Sequence, residues 1–322
     1  MSMNSDDQEN SEPGRTERRN SHIFRSGAEK YPNIIKVYKG GNFDTHIRKK
    51  MPNVIVFDLD ETLGSYSDLY ILWKHLQTYT SFNELLELFP EFARYKMVSI
   101  LEYIYKKKIN GKCEKIFIYT NNQCSYDFVD LISNYFCHKL GIDNGELFDQ
   151  IIRAFKVGDK YIEILRTTQQ KTYTDFIRCT LLPPNTQIFF VDNSYFPEME
   201  SKRIYYIQPL SYHHHLSKEV IINRLMIWNS QIFFRSPFSL LSNVERANIS
   251  LIYEELTTFP QTFLNKNNDY IEMKKRMDMF VAKKIMYYIK EFFHLTRLAK
   301  NTKKRAQLSS KYTRKFRKST NP

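Results

Sequence analysis

Val54, Ile55, Val56 and Phe57 form an unbroken apolar run, rich in β-branched side chains. Such a run reads as a strand buried on both faces, and so as an inner strand of a sheet covered by two layers. Further runs at 115–119, 151–155, 187–191 and 203–207 are strand candidates separated by stretches of helical periodicity. Strands alternating with helices imply the α/β class, a parallel sheet flanked by helices. Ligands of such sheets bind beyond the carboxyl ends of the strands, so the residues that follow each run matter most.

The first run ends in Asp58-Leu59-Asp60-Glu61-Thr62-Leu63. Residues i and i+2 of an extended chain point to the same side, so Asp58 and Asp60 can face one crevice. Two carboxylates that close repel unless one holds a proton or a cation lies between them. Mg²⁺ suits the place, because it takes hard oxygen ligands and commonly uses one or two carboxylates together with phosphate oxygens. The pair marks a candidate phosphoryl-transfer site. The second run is followed by Thr120, Asn121 and Asn122, then by a helix expected from Ser125 with Val129, Ile132, Phe136 and Leu140 on one face. A strand that feeds a helix N-terminus offers free backbone N–H groups to a phosphate. The run 187–191 ends in Asp192, Asn193 and Ser194, again oxygen-bearing side chains. Between the last two sites lie several lysines. Lys171 opens an expected helix over 171–180, while Lys156 and Lys160 follow the run 151–155.

The residues DLDETL resemble motif I of the haloacid dehalogenase (HAD) superfamily, and the other three sites follow in that family's order. The resemblance implies that Asp58 is a nucleophile forming an aspartyl-phosphate and Asp60 a general acid and base. It makes Thr120 the hydroxyl that holds the phosphoryl group, and Lys171 the neutralising lysine, with Lys156 as the alternative. Mg²⁺ would be held by Asp58, Asp60, Asp192 and Asn193. Thr62 would bond backbone locally and shape the loop. An aspartate at position 60 looks like a phosphatase rather than a family ATPase or dehalogenase. The Asp-Asn-Ser form is similar to the NLI-interacting-factor-like branch, the phosphatases of the RNA polymerase II tail. The 21 residues from Lys171 to Asp192 exceed the spacing in the short members of that branch. The stretches FIRCTLLPP and FFVDNS also look like HAD-type phosphatases of large double-stranded DNA viruses. Covering residues 51–210, the resemblance implies a HAD-like Rossmannoid fold. It implies a Mg²⁺-dependent phosphatase acting on phosphomonoesters, with a Ser/Thr phosphoprotein as the expected substrate.

Around that domain, placed at 31–235, the chain divides by composition. Residues 1–30 are polar, carry too little apolar surface to order themselves, and lack the apolar core of a signal peptide. The segment 65–112, with helices expected at 82–89 and 93–108, resembles the family's cap insertion; packing against the sheet is the alternative. Cys113, Cys124, Cys137 and Cys179 show no CxxC spacing. That suits a reducing compartment, hence an intracellular protein of the cytoplasm or nucleus. His213, His214 and His215 are expected in a loop, since adjacent side chains diverge and could supply two ligands to one site at most.

Of the formal net charge of +13, ten positive residues and no acidic ones fall within 297–318, which leaves +3 for the rest. A basic tail at 297–322 can bind a polyanion, an import receptor or anionic lipid. Before it, in an expected helical extension at 236–296, Val281, Ile285, Tyr288, Ile289, Phe292 and Leu295 make an amphipathic stripe suited to docking on its own domain or to a membrane surface. No apolar run reaches 18 residues, so no membrane span is expected. The tail motivates two rivals to the phosphoprotein phosphatase. One is a phosphatase of nucleic-acid phosphate ends; the other is a non-catalytic nucleic-acid-binding or scaffold protein on the same fold.

Overall fold

The computed structural model describes residues 34–43, 51–142, 147–235, 243–258 and 268–318. The segment 1–30, parts of the 236–296 extension and the last four residues of the tail lie outside the described residues.

Six strands pair into one sheet: β1 (Ile35–Lys39), β2 (Asn53–Phe57), β3 (Lys115–Tyr119), β4 (Gln150–Ile152), β7 (Gln187–Val191) and β8 (Ile204–Pro209). Their order is β1-β8-β7-β2-β3-β4. A separate hairpin joins β5 (Lys156–Val157) to β6 (Lys160–Tyr161). All neighbours in the sheet run parallel except β1, which lies antiparallel to β8 at one edge. The wholly parallel sheet expected from sequence is thus mostly parallel. β1 mixes Ile35 and Val37 with Lys36, Tyr38 and Lys39 and is at most half-buried, so it lacks the continuous apolar run that marks an inner strand. The strand expected at 151–155 stops at Ile152, because Ile152 pairs with Tyr119, the last residue of β3.

Eight described helices accompany the sheet: α1 (Ser67–Leu76), α2 (Phe82–Leu88), α3 (Met97–Ile109), α4 (Tyr126–Leu140), α5 (Tyr173–Thr180), α6 (Lys218–Arg235), α7 (Asn243–Glu255) and α8 (Asn268–Lys318). Alternate residues of β2 divide between two cores. Ile55 and Phe57 face a large cluster built from α1 to α4 and α6 to α8; Val54 and Val56 face a smaller one with Phe176 and Cys179 of α5. The segment 65–112, expected as a cap, contributes Leu69, Leu72, Leu85, Leu86, Ile100, Leu101 and Ile104 to the large cluster. It is a layer on the sheet, and α3 is the crossover that returns the chain to β3. Helix α3 starts four residues later than expected, leaving Arg94 outside it.

The C-terminal stripe also belongs to the large cluster. Val281, Ile285, Ile289 and Phe292 are buried, and the Phe292 ring lies 5.3 Å from that of Phe189. The stripe is covered by its own domain, which removes it as a membrane-contacting face. The backbone of α8 continues helically through the basic segment to Lys318, so the boundary expected at 296–297 falls inside one helix. No described helix is long and apolar enough to cross a membrane. Among the cysteines, Cys113, Cys137 and Cys179 are buried and Cys124 half-buried, all as free thiols.

Candidate active site

The ends of β2, β3 and β7 deliver the site. One residue past β2, Asp58 is held by the adjacent strand, its N–H donating to Val191 O over 2.8 Å. Asp192 donates its N–H to Ile207 O at 3.3 Å, and Thr120 donates to Ile152 O at 2.9 Å. The sheet therefore fixes the backbone of all three before any side chain acts.

Lys171 joins two of them. Its Nζ lies 2.5 Å from Asp58 Oδ1 and 2.6 Å from Asp192 Oδ2, and all three residues are buried. The helix expected over 171–180 begins at Tyr173, with the Thr172 side chain capping it by accepting the Asp175 N–H. Lys171 thus sits outside the helix, one residue ahead of the cap, from where it reaches the carboxylates. Lys156 and Lys160 lie instead in the hairpin, Lys156 packed 4.1 Å above the Tyr161 ring.

Two of the three carboxylates, Asp58 and Asp192, pair with Lys171, and Asp60 feels the ammonium through its charge. Burial opposes the Lys171 charge, but Asp192 and Asp58 outweigh it and hold its pKa above the ordinary lysine value. Burial, reinforced by the charge of Asp58, pushes Asp60 up to about 6, against a hydrogen bond from Asn122. Asp192 is pushed up to about 7 by burial and by Asp58, against the pull of Lys171. The cluster has more carboxylates than paired cations, and its donors are the hard oxygens that Mg²⁺ takes, while among the described residues no group of three or more Asp, Glu, His or Cys side chains is set to hold a metal. Asn193 has prior commitments. Its Nδ2 donates to Glu61 Oε2 and Ser211 Oγ, both at 3.1 Å, and its Oδ1 accepts the Thr62 hydroxyl at 2.9 Å. Only the second lone pair of Oδ1 is left for a metal. Thr62, expected to bond local backbone, spans 131 residues instead, also accepting the Asn193 N–H at 3.0 Å.

Asn122 was noticed in the sequence only as an amide after a strand. It donates to Asp60 Oδ2 at 2.8 Å, and its own N–H donates to Thr120 Oγ1 at 2.9 Å. Among the described residues the Thr120 hydroxyl, itself fully buried, accepts this bond and donates none. The histidines diverge, as expected of a loop. His213 lies 3.8 Å from Glu61, while His214 Nε2 is 3.0 Å from Asp68 Oδ2 and its Nδ1 accepts the Leu216 N–H. With Nδ1 turned to the Leu216 N–H, Nε2 is the ring nitrogen that faces Asp68.

Two buried arginines escaped the sequence reading. Arg94 donates to Thr62 O at 2.6 Å, to Leu210 O at 2.9 Å and to Glu61 O. It fastens the loop at Glu61, whose φ of 56° is left-handed. Arg166 donates to backbone carbonyls around Thr120 and before Lys171. Carbonyl partners leave no trace in a sequence, and both residues resemble surface cations of a basic chain.

The arrangement places a carboxylate beside an ammonium, a second carboxyl that titrates near neutrality, and a hydroxyl donor at one end of a parallel sheet. Those are the parts needed to receive and move a phosphoryl group and a proton. No protein-family model, curated protein or solved structure matches the chain.

Proposed function

We propose that this chain is a Mg²⁺-dependent phosphatase of the HAD type that hydrolyses phosphomonoesters through an aspartyl-phosphate on Asp58. The observation that carries the reading is Lys171 held between Asp58 and Asp192, with Asp60 two residues along. An Asp58 carboxylate oxygen attacks phosphorus while the bond to the leaving oxygen breaks. Asp60 gives its proton to that oxygen. In the second step Asp60 takes a proton from water, the water oxygen attacks phosphorus, and the bond to Asp58 breaks to release inorganic phosphate. Lys171 offsets the negative charge gathered in both steps, and the Thr120 hydroxyl donates to a phosphoryl oxygen. Mg²⁺ would be held by Asp58, Asp192 and the remaining lone pair of Asn193, with Asp60 contributing an oxygen that does not carry the transferred proton, and would neutralise phosphoryl charge.

A phosphoprotein of the Ser/Thr type is the substrate we favour. Because the helices of 65–112 are built into the core layer, none is a detached cap able to close over a small metabolite. The test is hydrolysis of an aryl phosphate, then of phosphopeptides, with and without Mg²⁺. Turnover should depend on the metal and vanish in Asp58→Asn; turnover retained in that variant defeats the mechanism. A second substrate class, nucleic-acid phosphate ends, is favoured by the basic stretch 297–318 on α8. Deleting 297–322 should then raise KM for oligonucleotides in a salt-dependent way.

A further inference from the structure

Arg166 lies between β6 and α5 and is 2% exposed. Its hydrogen bonds go to four backbone carbonyls. Nη1 donates to Thr120 O at 3.2 Å and Arg153 O at 2.7 Å; Nη2 donates to Gln169 O at 2.9 Å and Gln170 O at 3.3 Å. The guanidinium carbon sits 4.9 Å from the Tyr119 ring centroid. Burial draws its pKa below the ordinary arginine value, although Tyr119 and Asp175 oppose the shift. Burying a cation costs stability that an apolar side chain filling the same space would not.

What the cation adds is a rigid fork of donors. It ties together the end of β3, the end of β4 and the segment that leads into Lys171. A peptide unit is planar, so holding Thr120 C=O sets the plane that continues into Asn121. Holding Gln170 C=O likewise sets the plane that carries the Lys171 N–H. The two chain positions so fixed are the ones that present the hydroxyl and the ammonium. The Thr172 N–H also donates to Tyr119 Oη at 3.3 Å across the gap between β3 and this segment.

We propose that Arg166 is a positioning residue that sets Thr120 and Lys171 relative to each other. The proposal rests on the phosphatase reading above. Its test uses the full chain with Arg166→Met and Arg166→Lys. Arg224→Met, which removes the Arg224 fork to Glu91, serves as the control for a lost arginine outside the site. Aryl-phosphate kinetics, thermal melts and the acylation rate of Lys171, followed by peptide mass spectrometry, are read together. Arg166→Met should lower kcat about 100-fold while KM stays within about threefold, because ångström-scale misplacement of reacting groups costs that much. Arg166→Lys should recover part of the rate, since an ammonium keeps the charge without spanning four carbonyls. Lys171 acylation should rise about tenfold in Arg166→Met as its pocket opens locally, with Lys156 unchanged. Arg224→Met should lose thermal stability with kcat unaltered.

A fall in melting temperature in Arg166→Met with kcat, KM and Lys171 acylation all unchanged overturns the proposal. If the wild type shows no turnover, the phosphatase reading has failed, and the acylation measurement decides this one alone. Raised Lys171 labelling then sustains the link from Arg166 to Lys171; unchanged labelling rejects it.

Discussion

Asn122 and Asp60 stand at the ends of neighbouring strands, and a 2.8 Å hydrogen bond from Asn122 Nδ2 to Asp60 Oδ2 joins them. The bond holds the acid in place and stabilises its charged form. Asn122→Ala should therefore have two effects on the proposed reaction. The Asp60 pKa should rise further, moving the alkaline limb of the kcat profile to higher pH. The plateau rate should drop about tenfold as the proton donor loses its anchor. The stability loss should be about 1.5–3 kcal/mol, as for one hydrogen bond to a charged group. A pH–rate profile beside a urea melt checks all three, and an unshifted limb would separate Asn122 from the acid.

The crowded carboxylates make a second prediction that does not require turnover. Asp60 and Asp192 have folded pKa values of about 6 and about 7, raised from 3.8. The folded protein thus holds these protons more tightly than the unfolded chain. Their contribution is full below about pH 4 and is lost as pH rises through 6 and then 7. A divalent cation that competes with the proton on Asp192 should stabilise most where that proton has gone. Mg²⁺ at about 100 times its Kd adds about 2.7 kcal/mol, and the gain should be larger at pH 8 than at pH 5. Urea melts at both pH values, with and without Mg²⁺, make the comparison. Equal gains at the two pH values, or an undiminished gain in Asp192→Asn, would remove the metal from these carboxylates.

That pair of tests also marks where the sequence was informative. Asp58, Asp60, Thr120 and Asp192 could be found because each follows a strand read from its apolar run. Lys171 was found by chain order alone; that it lies outside the helix, ahead of the Thr172 cap, was not legible. Asn193 was identified but its engagement was not, since a sequence names an amide without saying which lone pairs are used. Arg94 and Arg166 were invisible because their partners are carbonyl oxygens supplied by distant backbone. Strand β1 was missed because a mixed edge strand lacks the continuous apolar run of an inner one.

Asp68 offers a test at the other end of the pH scale. It is buried and accepts from Thr257 N–H and Oγ1, both at 2.7 Å, and from His214 at 3.0 Å. Burial would raise its pKa, but the bonds from His214 and Thr257 outweigh that and lower it. A depressed carboxyl stabilises the fold above its unfolded pKa of about 4, and the contribution is lost as pH falls through the lower folded value. Asp68→Asn should weaken the wild type's loss of stability in acid and cost about 1–3 kcal/mol at pH 7. Urea midpoints from pH 3 to 7 supply the comparison. Parallel curves for the two proteins would show that Asp68 is not the group being titrated.

Phe292 decides what the C-terminal stripe does. Its ring is fully buried, 5.3 Å from Phe189 and 5.9 Å from Phe43. Next to it Glu291 pairs with Lys39 at 2.7 Å and accepts from Tyr205 Oη at 2.5 Å, so α8 is bonded to the edge of the sheet as well as packed on it. Removing a buried phenylalanine leaves a cavity and costs about 3–5 kcal/mol. Phe292→Ala should lose that much in urea unfolding, while binding to anionic vesicles stays at the wild-type level. Glu291→Gln should lose less, about 1 kcal/mol, because Lys39 and Glu291 are both partly solvated. If Phe292→Ala were within about 0.5 kcal/mol of the wild type and bound vesicles more weakly, the stripe would be a membrane face and its docking on Phe189 incidental.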